Sequence, residues 1–226
     1  MISLLCPSRG RPDAFGKMVR SAVAHADRRD GIEIVAYLDD EDDVRPIYEL
    51  SRWQGERHVV GPRICMGDMW NQCAEAARGD ILMQCADDIR FQTPGWDRLV
   101  SEAFERYQDR IAFVHGRDLS PNEGIHGTHG FISRRWYEAL GYFVPAGFVS
   151  DYTDTWLNDL ANRIGRRVYL RNLVTEHLHH TLGKAEIDQT TLDRLARHER
   201  GRPDLLYAWR EPERAADAQK LRALLR

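Results

Sequence analysis

The chain has 226 residues, 32 Lys and Arg against 35 Asp and Glu, and a formal net charge of -3. That balance excludes a uniformly basic nucleic-acid binder, and no apolar run is long enough to span a bilayer. The start, MISLLCPSRGRP, turns polar too early for a signal peptide. The four cysteines, Cys6, Cys65, Cys73 and Cys85, form no C-x-x-C pair and lie in or near apolar segments. They read as buried reduced thiols, which fits a cytoplasmic protein.

In chain order, ISLLC (2–6) before Pro7 predicts a buried strand. After Asp13, a good N-cap residue, Phe15, Met18, Val19, Ala22, Val23 and Ala26 recur at helical spacing. IEIVAYL (32–38) is a second strand, running into DDEDD (39–43). A short helix near 44–53 and a strand at 57–60 follow. Met66, Met69, Trp70, Cys73 and Ala77 make another apolar stripe of period 3.6. DILMQCA (80–86) predicts a strand buried on both faces. Thr93-Pro94 predicts a helix start with proline first, carrying Trp96, Leu99, Val100, Ala103, Phe104 and Tyr107 inward. IAFVH (111–115) is one more strand.

This alternation predicts an α/β fold with a mostly parallel sheet between helical layers. Ligands of such sheets bind beyond the carboxyl ends of the strands. Three polar clusters fall at those ends: PSRGRP, DDEDD and ADDIRF. The second half is less regular. Residues 118–130 read as a polar, glycine-rich loop, 131–143 as a strand end and a short helix, 152–164 as a helix and 166–170 as a strand. From about 188 the chain reads as a charged helical tail, broken at 200–203. Trp70, Trp96 and Trp156 lie in apolar stripes and are expected in the core.

Asp87 and Asp88 stand side by side at the end of an apolar run. Neighbouring carboxylates repel unless a cation lies between them. Arginine, a helix N-terminus, a metal ion or water could fill that role.

The order of these pieces resembles the GT-A glycosyltransferases, especially the large inverting family 2 group. The matching stretches are CPSRGRP, YLDD, the run ARGDILMQCADDIRFQTPGW, HGFISRRWYEALGYF and SDYTDTWLNDLANRIGRRV. They cover roughly residues 1–180, and the short length looks like compact enzymes often encoded by phages. The resemblance implies a GT-A (Rossmann-like) domain over 1–185. Its nucleotide-sugar half would be 1–117 and its acceptor half 118–185, with a helical extension at 186–226. It implies transfer of a sugar from a nucleotide-sugar, a UDP-sugar above all, to an acceptor hydroxyl with inversion.

It also implies residue roles. Asp88 would bind Mn²⁺ or Mg²⁺ and Asp87 the ribose or a metal-bound water. Ala86 stands at the first position of the usual D-x-D. Pro7, Ser8 and Arg9 would border the diphosphate, with Arg11 as a rival. Asp39 or Asp40 would face the base and ribose. Asp154 would be the general base with Asp151 as a rival, because Thr153 replaces the usual glutamate. Within EHLHH (176–180), His177 and His179 alternate on a strand-like stretch, and one would complete the metal shell. His126 and His129 would bind acceptor or phosphate.

Other classes are weaker. A nucleotidyltransferase would need a G-x-G-T-R loop, which PSRGRP lacks. A zinc hydrolase on EHLHH would lack the H-E-x-x-H helix. A non-catalytic nucleotide or glycan binder would keep the fold without the reaction. For the acceptor, the arginines from Arg163 onward point to a basic lip, hence to a hydroxylated base in DNA; glycans and small molecules stay open.

Overall fold

The computed structural model covers residues 1–226. The first half alternates strand and helix as the apolar periodicities require. In order they are β1 (Ile2–Ser8), α1 (Pro12–His25), β2 (Ile32–Asp39), α2 (Arg45–Leu50), β3 (Glu56–Gly61), α3 (Met66–Ala76) and β4 (Ile81–Gln84). Next come β5 (Ile89–Phe91), α4 (Trp96–Glu105), β6 (Phe113–Arg117), β7 (Phe131–Ser133), α5 (Arg134–Leu140), α6 (Thr153–Ile164) and β8 (Arg167–His177). Three helices close the chain: α7 (Gln189–Gly201), α8 (Pro203–Trp209) and α9 (Glu211–Arg222).

The eight strands form one sheet in the order β3-β2-β1-β4-β7-β6-β8-β5. β3, β2, β1 and β4 run parallel, as do β6 and β8; β7 is antiparallel to both its neighbours, and β5 is antiparallel to β8. Successive side chains of a strand point to opposite faces. Leu4 and Cys6 therefore join α1 and α4 in one core, with Ile34, Met83, Phe15 and Trp96. Leu5 joins Val35, Leu82, Trp70, Trp136 and Trp156 in a second core under α3, α5 and α6. Burial on both faces explains why these strands read as continuous apolar runs.

The C-terminal helices are fastened to the second core. Ala218 and Leu221 of α9 are buried in it. Arg214, buried to all but 3% of its surface, donates to Asp159 of α6 (3.0 Å) and to Glu211 (2.5 Å), and lies 3.7 Å from the Tyr207 ring centroid.

Three local expectations need correction. α1 begins at Pro12, so Asp13 lies in its first turn instead of capping it. Thr93 does not cap α4; its hydroxyl donates to Asn172 O and accepts from Val174 N, and Gly95 precedes the helix at φ +69°. That left-handed turn is one glycine adopts without a Cβ clash. The strand expected at 166–170 continues to His177, because β6 and β5 flank it in succession.

Candidate active site

The parallel strands end together, and their ends open on one cleft of about 530 Å³. Three turns supply its floor. The turn after β1 brings Pro7, Ser8, Arg9 and Arg11; the end of β2 brings Asp39; the turn after β4 brings Asp87 and Asp88. Thr153 and Asp154, from the start of α6, also line the cleft, and α7 with its N-cap contributes Asp188, Thr191, Arg194 and Arg197.

Asp87 is buried. It accepts from Ser8 Oγ (2.6 Å), which also meets the Tyr48 hydroxyl (2.9 Å), and from Arg11 Nη1 (3.4 Å). Burial, then the adjacent Asp88 charge, pushes its pKa up to about 6. Asp88 moves the other way: burial alone would raise its pKa, but the His177 hydrogen bond and charge bring it down to about 2.

Strand register explains why Asp88 meets His177. Ile89 pairs with His177 across the β5–β8 ladder, and Leu178 N donates to Asp88 O at 2.8 Å. His177 Nε2 then stands 3.4 Å from Asp88 Oδ2. His129 arrives from a third direction. It precedes β7, whose antiparallel pairing with β4 brings Gly130 O to the Gln84 N–H (2.9 Å) and seats His129 beside the end of β4. One potential ligand atom from each of Asp88, His129 and His177 lies within 4.8 Å of the other two.

His179 is not in that cluster, against expectation. β8 stops at His177 and the chain turns into a 3-10 helix at 180–182, so the alternation that would align His179 with His177 ends there. His179 Nδ1 faces the Thr181 hydroxyl instead (2.7 Å). Of EHLHH, only His177 joins Asp88 and His129 in that cluster. The sequence placed His129 with acceptor or phosphate; its signal, a histidine in a polar loop just before a strand, does not specify a direction.

Asp39 is 2% exposed and is paired with Arg9, with Arg63 Nε 4.0 Å away. Asp40 does not line the cleft. Its side chain is exposed, because strand alternation turns it away from Asp39, and its N–H donates to Gly61 O (2.9 Å).

Asp154 sits in the first turn of α6. Its Oδ1 accepts from Thr155 N (2.7 Å) and its Oδ2 meets His126 Nε2 (2.9 Å). Burial would raise its pKa, but His126 and the Thr155 amide hold it below the ordinary carboxylate value; the same contact raises His126. The rival, Asp151, is taken up by α7: Arg194 Nη1 donates to it at 2.9 Å and His198 Nδ1 also contacts it. Arg11 is likewise shared with α7. Its Nε and Nη2 donate to the two oxygens of Asp188 at 2.6 Å each, and these bonds hold the Asp188 pKa far below its usual range.

The fold as a whole can be matched to known structures. The first 349 residues of TarS from S. aureus, solved with UDP, align over 87% of this chain and 71% of that one, at TM-score 0.61 and 10% identity. A mannosyltransferase from Pyrobaculum calidifontis, solved with GDP-Man and Mn²⁺, aligns over 96% and 73%, at TM-score 0.61 and 15% identity. The fold is GT-A. Glucosyl-3-phosphoglycerate synthase from Mycobacterium tuberculosis, solved with Mg²⁺ and UDP, aligns over 81% and 73%, at TM-score 0.58 and 16% identity. The chain spans 37% of the longer TarS structure and 60% of another TarS 1-349 structure. No family model matches the sequence, and no curated protein matches it. No helix is long and apolar enough to cross a membrane.

Proposed function

We propose that this GT-A protein is a metal-dependent glycosyltransferase that moves a sugar from a UDP-sugar to an acceptor hydroxyl with inversion. One observation carries the reading. Asp39, Asp87, the Asp88–His177 pair and Asp154 converge on a single cleft at the carboxyl ends of the strands. Nothing in the packing of the two cores requires four carboxylates there.

Each residue has a role that follows from its surroundings. Asp39, anchored by Arg9, accepts hydrogen bonds from a uracil N–H or a ribose hydroxyl. Asp87, held by Ser8, reaches the ribose. The Arg9 and Arg11 guanidiniums border the space for the diphosphate and bring positive charge to it, Arg9 while paired with Asp39 and Arg11 while its fork holds Asp188. Asp88 and His177 fit a divalent cation: Asp88 Oδ1 is buried without a hydrogen-bond partner, and oxygen with imidazole is a common donor set. Such a cation, when bound, neutralises charge growing on the leaving diphosphate.

Asp154 accepts the acceptor's proton. The acceptor oxygen forms its bond to the anomeric carbon as the bond from that carbon to the diphosphate breaks, and the proton passes to the carboxylate. A carboxylate held ionised by His126 is a weak base toward a free alcohol. It becomes sufficient as the attacking hydroxyl grows acidic with bond formation.

The acceptor reading that includes a hydroxylated DNA base rests on the arginines of the tail. Of these, Arg163, Arg166, Arg194 and Arg202 are each paired with a carboxylate, whereas Arg167, Arg197 and Arg200 donate to backbone carbonyls and keep their charge uncompensated. Steep loss of acceptor binding with added salt would support DNA, and flat dependence would count against it.

The test is a panel of UDP, GDP, CDP and dTDP, each with Mn²⁺, Mg²⁺ or chelator, read by thermal shift. Metal-dependent stabilisation by UDP, lost in Asp88→Asn, is expected, as is slow release of UDP from UDP-sugars. Absence of any nucleotide shift in all three metal conditions would end the transferase reading.

A further inference from the structure

The hydrogen bonds of His129 leave one side of its ring unanswered. The residue is 7% exposed. Its Nδ1 faces Gln84 O at 3.3 Å, and a ring nitrogen facing a carbonyl oxygen must carry the proton. The lone pair is therefore on Nε2, which is buried and has no partner. Asp88 Oδ1 is buried and unpartnered as well. Buried polar atoms are nearly always satisfied, so two orphans in one cluster point to something that binds between them.

We propose that Asp88, His129 and His177 form a two-histidine, one-carboxylate metal centre, and that His129 makes it select a transition dication such as Mn²⁺, Co²⁺ or Zn²⁺ over Mg²⁺. This deepens the transferase reading by naming the class of metal, and rests on it only for the role of the site. The three residues come from the turn after β4, the segment before β7 and the end of β8, and their ligand atoms lie within 4.8 Å of one another. Bonds of about 2.0–2.2 Å draw such atoms somewhat closer together, a movement that side-chain torsions can supply.

The chemistry sets the preference. Mg²⁺ is hard, takes oxygen ligands and gives up water reluctantly, so two imidazoles suit it poorly. Imidazole favours later divalent metals. Ala86 supplies no carboxylate at the position before Asp87, and His129 gives nitrogen in place of a second carboxylate oxygen. The Gln84 carbonyl fixes its ring, as the outer partners of ligating histidines commonly do. Three protein ligands also leave positions open for oxygens of a bound diphosphate.

The experiment measures metal alone, without nucleotide. Chelator-stripped protein is titrated with Mg²⁺, Mn²⁺, Co²⁺ or Zn²⁺ by calorimetry and thermal shift, and the visible spectrum of the Co²⁺ form is recorded. Mn²⁺, Co²⁺ and Zn²⁺ are expected to bind roughly tenfold or more tighter than Mg²⁺, with Co²⁺ bands shifted and intensified by nitrogen ligation. His129→Asn should weaken Mn²⁺ binding by at least the roughly 10- to 100-fold that even an outer-shell change costs. Equal affinity for Mg²⁺ and Mn²⁺, a cobalt spectrum of the all-oxygen aquo type, or unchanged Mn²⁺ affinity in His129→Asn would each overturn the proposal. So would loss of metal binding in His179→Ala. If His129→Asn does not fold, the wild-type panel and the cobalt spectrum decide. Metal binding without a nucleotide shift would defeat the transferase reading and leave the centre standing; a nucleotide shift with Mg²⁺ as good as Mn²⁺ would do the reverse.

Discussion

The contact between His126 and Asp154 makes a sharp test, because it ties the candidate base to a measurable pH dependence. His126→Gln removes the imidazolium charge and keeps a polar side chain. His126 is raised above its unfolded value of 6.5, so the pair's contribution is fully present below about pH 6.5 and fades as pH climbs through the raised value. Asp154 is lowered below 3.8, so its share is present above that value and is lost as pH falls through the lowered one. The full contribution therefore spans about pH 4 to 6.5. Asp118 reinforces the raised His126 and Arg167 opposes it, so both neighbours stay unchanged in the comparison.

A hydrogen bond between charged groups contributes about 1.5–3 kcal/mol. The side chains are 32% and 22% exposed, and solvent screening reduces this to about 1–2 kcal/mol. In a chain of this length each kcal/mol moves Tm by about 2–4 °C. The wild type should therefore melt about 2–8 °C above His126→Gln at pH 5.5, with the gap narrowing by pH 8.5. Asp154→Asn should flatten the same profile, and the double variant should match either single one within error. The assay is fluorimetric melting of all four proteins from pH 4 to 9. A gap that stays constant across that range would refute an ionic pair, and additive single effects would refute direct coupling.

Asp39→Asn should weaken UDP binding by roughly 10- to 100-fold in calorimetry, as expected for a lost charged hydrogen bond, and should also lower the melting temperature, because it breaks the pair with Arg9 at a buried carboxylate. Gly130→Ala should lower stability by about 1–3 kcal/mol in urea unfolding, since a Cβ there would stand 2.0 Å from the buried Phe113 ring. Arg214→Ala should cost about 2–3 kcal/mol, because it removes charged hydrogen bonds to Asp159 and Glu211, which keep Arg163, and strips the Tyr207 ring of its cover. A loss below about 1 kcal/mol would mean that the last helices are not fastened as described. Asp154→Asn should retain UDP binding and lose roughly 10²- to 10⁴-fold in transfer, measured as UDP release with acceptor present.

The sequence by itself determined the layers and the edge of the sheet where a site could form. Short apolar runs such as IEIVAYL, rich in β-branched residues, read as strands covered on both faces, and stripes such as Phe15, Met18, Val19 and Ala22 read as helices that cover them. Once strand and helix alternate, polar residues after each strand gather at one end, so Ser8, Asp39, Asp87 and Asp88 were legible as neighbours. Which partner each one has was not legible, because that depends on register between segments far apart in the chain. His177 reached Asp88 through the β5–β8 ladder, His179 lines the cleft beside it but turns its Nδ1 to Thr181, and His129 was delivered by an antiparallel strand inserted beside β4. The surroundings of Asp151 and Asp154 differ because α7 packs over the cleft and engages Asp151 through Arg194 and His198, whereas Asp154 meets His126. Local pattern is a property of a few successive residues, whereas a pairing is a distance in space, and only the closed sheet and its covering helices set that distance.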